Sequence, residues 1–137
     1  MTINLKEKER LDELQRNGYQ IIQNPEKFCF GMDAVLLSGF AKAKKGDVVL
    51  DMGTGTGILA ILCAMCGAKN VSAIEIDEFA YVNAVENVKL NGVPQINVLH
   101  GDATLLKGEN RVDVFIANIN RNIITNDIII NINIKIY

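Results

Sequence analysis

The chain has 137 residues, 49% of them hydrophobic and 22% charged, with a formal net charge of −2; this suits one folded domain and excludes the strongly basic composition of a dedicated nucleic-acid-binding module. No apolar run approaches the roughly 18 residues of a membrane helix, and residues 1–8 lack a signal-peptide core. Because the three cysteines are an odd number, we expect a reduced compartment, and therefore a cytoplasmic protein without a membrane partner.

Residues 1–46 are expected to form a lead-in region before the core. Residues 6–16 mix two leucines with many charges. This pattern predicts a short exposed helix or an ordered arm, ended by Asn17-Gly18.

Two runs of β-forming residues follow, at 19–22 and 27–30, separated by the turn-forming Asn24-Pro25-Glu26. They predict a β-hairpin. Asp33 can then cap a helix over 34–44, which carries an apolar stripe and is closed by a lysine pair and a glycine.

From residue 47 the pattern changes to short apolar strands that alternate with helices. The predicted strands are 48–50, 71–76, 96–100 and 112–117, and the predicted helices are 58–66 and 78–91. Strands and helices that alternate at this spacing form right-handed βαβ units with a parallel sheet. We therefore predict a doubly wound α/β fold, with its core at 47–127.

The tail, residues 128–137, consists almost wholly of isoleucine and asparagine and alternates strictly from Ile130 to Ile136. Such alternation is typical of a half-buried strand. The same segment has low charge and no proline, so it is also an aggregation hazard at an exposed edge. It contains no residues that indicate a chemical role.

The most informative segment is the glycine loop, residues 51–57, with the sequence Asp-Met-Gly-Thr-Gly-Thr-Gly between a strand and a helix. Such a loop brings backbone N–H groups and the positive end of a helix to one crevice of the sheet. The dinucleotide fingerprint fails when it is aligned on Gly53, because its third glycine falls on Ile58; aligned on Gly55 it reaches Ala60, a permitted variant. Nicotinamide or flavin binding is therefore disfavoured without being excluded, whereas a P-loop, which requires Gly-Lys-Ser/Thr, is absent.

The pattern Asp51-x-Gly53-x-Gly55-x-Gly57 resembles motif I of class I methyltransferases. This resemblance implies that the loop passes under the amino-acid part of S-adenosylmethionine, and that the sheet is Rossmann-like. An acidic strand end suits a ligand with an ammonium and a sulfonium. Class I enzymes generally have seven strands, so four predicted core strands imply a C-terminally truncated sheet.

Two further carboxylates fall at successive strand ends. Glu75 can accept hydrogen bonds from both ribose hydroxyls of the cofactor, although a dinucleotide site would use such an acid too. Asp102, followed by Ala103, lies where the methyltransferase family contacts the adenine. The competing interpretation is a glycine turn with unrelated surface acids.

Residues 9–57 resemble the bacterial enzyme that methylates the exocyclic amine of an adenine in valine tRNA. In that family the segment Phe-Gly-x-Asp-Ala borders the cofactor, which implies binding roles for Phe30 and Asp33 and makes tRNA a candidate substrate. The alternatives are a core position for Phe30 and a helix cap for Asp33.

Residues 58–127 resemble the methyltransferase that modifies amines of the eleventh protein of the large ribosomal subunit. Asn118 follows the last predicted strand. At this place adenine methyltransferases carry Asn-Pro-Pro-Tyr or Asp-Pro-Pro-Tyr. In this chain both prolines and the aromatic residue are missing. This departure argues against adenine. We predict that Asn118 positions a substrate amine, or else only caps a turn. A ribosomal protein and a tRNA adenine remain about equally favoured as acceptors.

A cysteine pair, Cys63 and Cys66, matches the C-x-x-C pattern of redox and metal sites. There is no second pair, and the helix around it is apolar, so we predict buried core cysteines and no metal. His100, which is far along the chain, is expected to be a hydrogen-bonded structural histidine.

A different functional class is a truncated cofactor-binding fragment without catalytic turnover. Missing strands would leave an edge or an apolar face of the sheet exposed. Self-association through that edge is therefore also expected.

Overall fold

The computed structural model describes residues 2–14, 17–27, 29, 39, 41–105 and 112–117. Its strands are β1 (Arg10–Glu13), β2 (Gln20–Gln23), β3 (Val48–Met52), β4 (Asn70–Glu75), β5 (Ile96–His100) and β6 (Val114–Ala117). Its α-helices are α1 (Ile58–Met65) and α2 (Glu78–Leu90), and a 3₁₀ turn spans Ala103–Leu105.

Four of these strands form a parallel sheet in the order β5-β4-β3-β6. The chain runs outward through β3, β4 and β5, and then returns to the other side of β3 to form β6. The strand order therefore reverses between β3 and β6, which is where α/β sheets bind ligands at their carboxyl ends. The predicted parallel α/β architecture is confirmed.

Both faces of this sheet are buried, as expected for parallel strands rich in valine, isoleucine and leucine. One face packs against α1 in a cluster that includes Val49, Val71 and Ile116. Alternate residues point to the opposite face, where the buried cluster consists of Leu50, Met52, Ile74 and Phe115. The sheet thus holds its carboxyl edge on a rigid support.

The N-terminal region contains a hairpin, but not the one predicted. Residues 10–13 form β1, which pairs antiparallel with β2, so of the two alternatives for residues 6–16 the helix is wrong. The connection contains Asn17 and Gly18, whose φ angles of 53° and 72° are both left-handed. Asn-Gly is a strong hairpin signal. The predicted hairpin of residues 19–22 with 27–30 is not found among the described residues, because β2 pairs with β1 and Lys27 lies in a turn.

Residues 24–27 instead form a turn after β2, in which the backbone N–H of Lys27 donates to the carbonyl of Asn24 at 3.0 Å. The predicted helix over 34–44 extends too far, because residues 42–44 are not helical and Lys42 has a φ of 48°. Gly39 and Ala41 are helical. Asp33, the rest of that helix and the tail at 128–137 lie outside the described residues.

The longest helix, α2, begins at its predicted residue because Asp77 caps it: the Asp77 carboxylate accepts from the backbone N–H of Ala80 at 2.9 Å. Neither α-helix in the described part of the chain has the length and apolar character needed to cross a membrane.

Candidate functional site

The glycine loop leaves β3 at the carboxyl edge of the sheet and enters α1. Its three glycines, Gly53, Gly55 and Gly57, have φ angles of 69°, 59° and 85°, in the left-handed region that residues with a Cβ rarely adopt. The backbone N–H groups of Gly53 and Thr54 donate to the carbonyl of Ile74 at 2.8 and 3.1 Å. The loop is therefore attached to the end of β4.

Glu75, the last residue of β4, is 8% exposed and contacts the loop directly. Its Oε2 accepts from the backbone N–H of Gly55 and its Oε1 from that of Asp77, both at 2.9 Å. A carboxylate oxygen accepts more than one hydrogen bond, so both oxygens retain capacity for a ligand. The structure thus brings two of the predicted elements, loop and acid, into contact.

Asp51 lies completely buried beneath the loop. Its Oδ2 accepts from the hydroxyl of Thr54 at 2.6 Å, whereas its Oδ1 has no hydrogen-bond partner among the described residues. Burial raises the pKa of Asp51 to about 7; hydrogen bonds from the Thr54 hydroxyl and from the backbone of Ala60 oppose the rise, and the charge of Glu75 adds to it. The hydroxyl of Thr56 is also buried without a partner in this part of the chain. Unpaired buried polar groups are rare, so these two atoms make the loop a candidate functional site.

Asp102 joins the same edge through its neighbour: the backbone N–H of Gly101 donates to the carbonyl of Glu75 at 2.9 Å. The exposed carboxylate of Asp102 accepts from the backbone N–H and the hydroxyl of Thr104, at 2.9 and 2.6 Å. These two hydrogen bonds lower the pKa of Asp102. Ala103, the other residue predicted here, begins the 3₁₀ turn and packs on the second face of the sheet.

Sequence reasoning missed an apolar component of this edge. Ile76 and Leu105 are 66% and 44% exposed, and Leu105 lies against Gly101, where an added Cβ would come within 2.6 Å of its Cδ1. An isoleucine placed between the acids Glu75 and Asp77 was the available signal. The edge therefore combines carboxylates with an apolar surface, as a nucleoside requires.

Three of the predicted site residues, Phe30, Asp33 and Asn118, lie outside the described residues. The strand that precedes Asn118 ends at Ala117, which pairs with Met52. The chain therefore leaves β6 beside the start of the glycine loop, on the side of β3 opposite to β4.

His100, the last residue of β5, lies at this edge, whereas Cys63 and Cys66 lie at the end of α1 that is remote from the glycine loop. The ring of His100 stacks on Tyr81 with centroids 4.9 Å apart, and its Nε2 lies 3.1 Å from the carbonyl of Ile76. Cys63 is buried, which raises its pKa to about 12, but Cys66 is exposed, so the prediction that both thiols are buried is wrong for Cys66. No three potential ligands among the described residues are grouped for a metal.

A separate groove of about 930 Å³ runs beside the first half of α2 and the N-terminal segment. The ammonium of Lys27 lies 3.6 Å from the centre of the Phe79 ring there. No residue of 51–57 lines it. Its walls carry three lysines and six carboxylates, so it differs from the site at the carboxyl edge in its lining residues and not in the sign of its charge.

A family model of the ribosomal protein L11 methyltransferase (PrmA) matches residues 32–133. A protein of this name from Bacteroides fragilis is 57% identical over 82 residues, which are 60% of this chain and 29% of the relative. Another from Phocaeicola vulgatus is 47% identical over 119 residues, covering 82% of this chain and 42% of the relative. The chain spans less than half the length of these curated relatives.

Among solved structures, TYW2 of Pyrococcus horikoshii in complex with MeSAdo has a TM-score of 0.66 and 29% identity. The match covers 79% of this chain and 41% of that protein.

The similarity predicted for residues 58–127 is thus confirmed, and the family match begins earlier, at residue 32. The resemblance of residues 9–57 to a tRNA enzyme stays a prediction.

Proposed function

Because the chain belongs to the ribosomal protein L11 methyltransferase family, we propose that it carries the S-adenosylmethionine-binding part of an enzyme that methylates an amine nitrogen. The observation that carries this proposal is the hydrogen bond from the Gly55 N–H to the Glu75 carboxylate at 2.9 Å. It joins the loop that leaves β3, one of the two strands between which the strand order reverses, to the acid that ends β4. Asp102 lies next to Gly101, which is bound to the same residue of β4.

The residues present fit this cofactor. Loop glycines without side chains let a ligand approach the backbone closely. The carboxyl of Asp51, once ionised, adds negative potential below a ligand that carries an ammonium and a sulfonium. We assign the ribose hydroxyls to Glu75, the adenine amine to Asp102 and the adenine face to exposed Ile76. Phe30 and Asp33, on the resemblance to the tRNA enzyme, would border the same ligand.

When bound, the cofactor supplies a methyl group on a sulfonium, which is already an activated donor. The task of the protein is therefore to orient the two reactants and exclude water. Asn118 directly follows the strand that pairs with the start of the loop. We propose that its carboxamide oxygen accepts a hydrogen bond from the acceptor amine and directs the nitrogen lone pair toward the methyl group.

A ribosomal protein amine is the acceptor we favour. The family match includes residues on both sides of position 58, and so covers much of the segment that resembles the tRNA enzyme. The missing prolines and aromatic residue after Asn118 also disfavour a flipped adenine. A tRNA adenine is the second candidate, and it rests on residues 9–57. Binding without turnover is the third, since the chain spans less than half of its relatives.

Titration calorimetry with S-adenosylmethionine tests the cofactor assignment, and the absence of heat at millimolar cofactor would refute it. Incubation with methyl-labelled cofactor and either ribosomal protein L11 or tRNA then distinguishes the acceptors. Label in L11 supports our preferred function, and label in tRNA supports the second candidate. Cofactor binding with label in neither identifies a binding fragment.

A further inference from the structure

The outer edge of the N-terminal hairpin is bound by asparagine side chains of α2 and of the residue that caps its C-terminus, Asn91. Asn91 accepts from the backbone N–H of Gln20 at 2.8 Å and donates to the carbonyl of Gln20 at 2.7 Å. Asn83 donates to the carbonyl of Ile22 at 2.8 Å. Residues four apart share one face of a helix, so this face takes the place of a neighbouring strand for β2.

Asn87, between these two residues, is completely buried and reaches further. Its Oδ1 accepts from the N–H of Ile22 at 2.6 Å, and its Nδ2 donates to the carbonyl of Ile22 at 2.9 Å. The same Nδ2 also donates to the carbonyl of Thr56, again at 2.9 Å. Both amide hydrogens are used. One side chain therefore joins the hairpin to the glycine loop.

The contact at Thr56 fixes the peptide unit that joins Thr56 to Gly57. Its carbonyl accepts from Asn87, and its N–H, which belongs to Gly57, donates to the carbonyl of Thr54 at 3.0 Å. Gly57 also packs on α2, where an added Cβ would lie 3.5 Å from Ala84. Because glycine has little intrinsic backbone preference, such outside contacts determine the shape of the loop.

We propose that Asn87 is a positioning residue for cofactor binding, and that its hydrogen bond to Thr56 couples the conformation of the glycine loop to α2. The proposal rests on the proposed function of the loop. A purely structural asparagine would hold only the hairpin and its own helix, as Asn91 does through two hydrogen bonds to Gln20 and one to the carbonyl of Asn87. Asn91 has no hydrogen bond to the loop among the described contacts, so it is the matched control.

The test compares Asn87→Ala and Asn91→Ala with the parent protein by urea unfolding and by calorimetry with S-adenosylmethionine. We expect Asn87→Ala to bind roughly five- to tenfold more weakly, the equivalent of one lost hydrogen bond, and Asn91→Ala to bind like the parent. Equal affinities for all three proteins would overturn the proposal, as would equal losses in both variants.

Amide hydrogen exchange separates this proposal from the cofactor assignment. If the parent binds no S-adenosylmethionine, the proposed function fails, but exchange at residues 55–57 still tests the coupling. Faster exchange in Asn87→Ala than in Asn91→Ala supports it, and the same exchange in both contradicts it.

A measurement on the unmodified protein applies if Asn87→Ala does not fold. The side-chain amide resonances of Asn87 and Asn91 are both observable by NMR. We expect the Asn87 resonance to shift when S-adenosylmethionine is added and the Asn91 resonance to stay. A shift of Asn91 as large as that of Asn87, or no shift of Asn87 in a cofactor-saturated sample, rejects the coupling.

Discussion

Asp51 accepts a hydrogen bond from the hydroxyl of Thr54 at 2.6 Å while it is completely enclosed beneath the glycine loop. A carboxylate in this position is costly to ionise, which is why burial raises the pKa of Asp51 to about 7 from its ordinary 3.8. The residue that begins motif I is therefore sensitive to pH near neutrality.

The stability of the protein should fall as the pH rises from about 4 to about 7. In that window the folded chain keeps a proton on Asp51 that the unfolded chain has released, because the folded pKa is the higher one. The free energy of unfolding then decreases by up to ~1.4 kcal/mol per pH unit from this group. Urea unfolding at pH 5, 6, 7 and 8 measures this slope.

Asp51→Asn supplies the matched comparison, because an amide of the same shape does not titrate. The contribution of this residue to the pH dependence of the unfolding free energy should be missing in the variant. The variant should also be more stable than the parent at pH 8. Parallel pH profiles for the two proteins would show that Asp51 does not titrate in this range.

Binding of S-adenosylmethionine near pH 7 should release protons. A cationic ligand above the loop favours the ionised form of Asp51, and so lowers a pKa that burial has raised. Calorimetry in phosphate and in Tris detects the release from the difference in apparent enthalpy. The release is at most about half a proton at pH 7, because a group with a pKa of about 7 is half ionised there. The release should disappear in Asp51→Asn; if it persists there, another group is responsible.

Replacing Glu75 by glutamine should weaken cofactor binding at least about tenfold and destabilise the fold by about 1–3 kcal/mol. The new amide places an N–H₂ group where the carboxylate now accepts from Gly55 or Asp77. Glu86→Gln is the control, because the Glu86 carboxylate makes an exposed ion pair with Lys6. Calorimetry and urea unfolding of both variants check this; if Glu75→Gln behaves like Glu86→Gln, the ribose assignment is wrong.

The thiol of Cys63, within α1, and that of Cys66, at the C-terminal end of this helix, should differ sharply in reactivity. Cys63 is buried and its pKa is raised to about 12, whereas Cys66 is exposed. A thiol-specific chromogenic reagent should therefore label Cys66 quickly and Cys63 only after unfolding. Cys66→Ser should remove a fast phase that Cys63→Ser retains. Fast labelling of Cys63 in the folded protein would contradict its burial.

The core of the fold could be predicted because its signals are local. The segments from β3 to β5 combine buried apolar runs with glycine or asparagine stops, and their predicted bounds agree with the structure to within two residues. The loop and Glu75 were predicted together because the carboxyl ends of parallel strands share one edge.

The N-terminal hairpin was mispredicted because β1 consists mostly of charged residues that do not favour a strand, and only Asn17-Gly18 indicates that it pairs with β2. Asn87 was missed for a different reason. An asparagine on a helix resembles an exposed polar residue in sequence, and only its tertiary contacts with Ile22 and Thr56 reveal that it is buried.

Gly57→Ala should weaken cofactor binding more than its effect on stability explains. Gly57 has a φ of 85°, and Gly46, in a turn at the other end of β3, has a φ of 88°. An alanine at either position incurs a similar backbone cost of roughly 1–2 kcal/mol, and neither added Cβ meets an atom closer than 3.5 Å. Gly46→Ala is therefore a control for strain alone. Urea unfolding should show a similar loss of unfolding free energy in both variants. Calorimetry with S-adenosylmethionine should show reduced affinity only for Gly57→Ala, because only there does relief of the backbone strain change the shape of the loop that we assign to the cofactor. Equal affinities in the two variants would mean that the conformation of the loop at Gly57 does not determine binding.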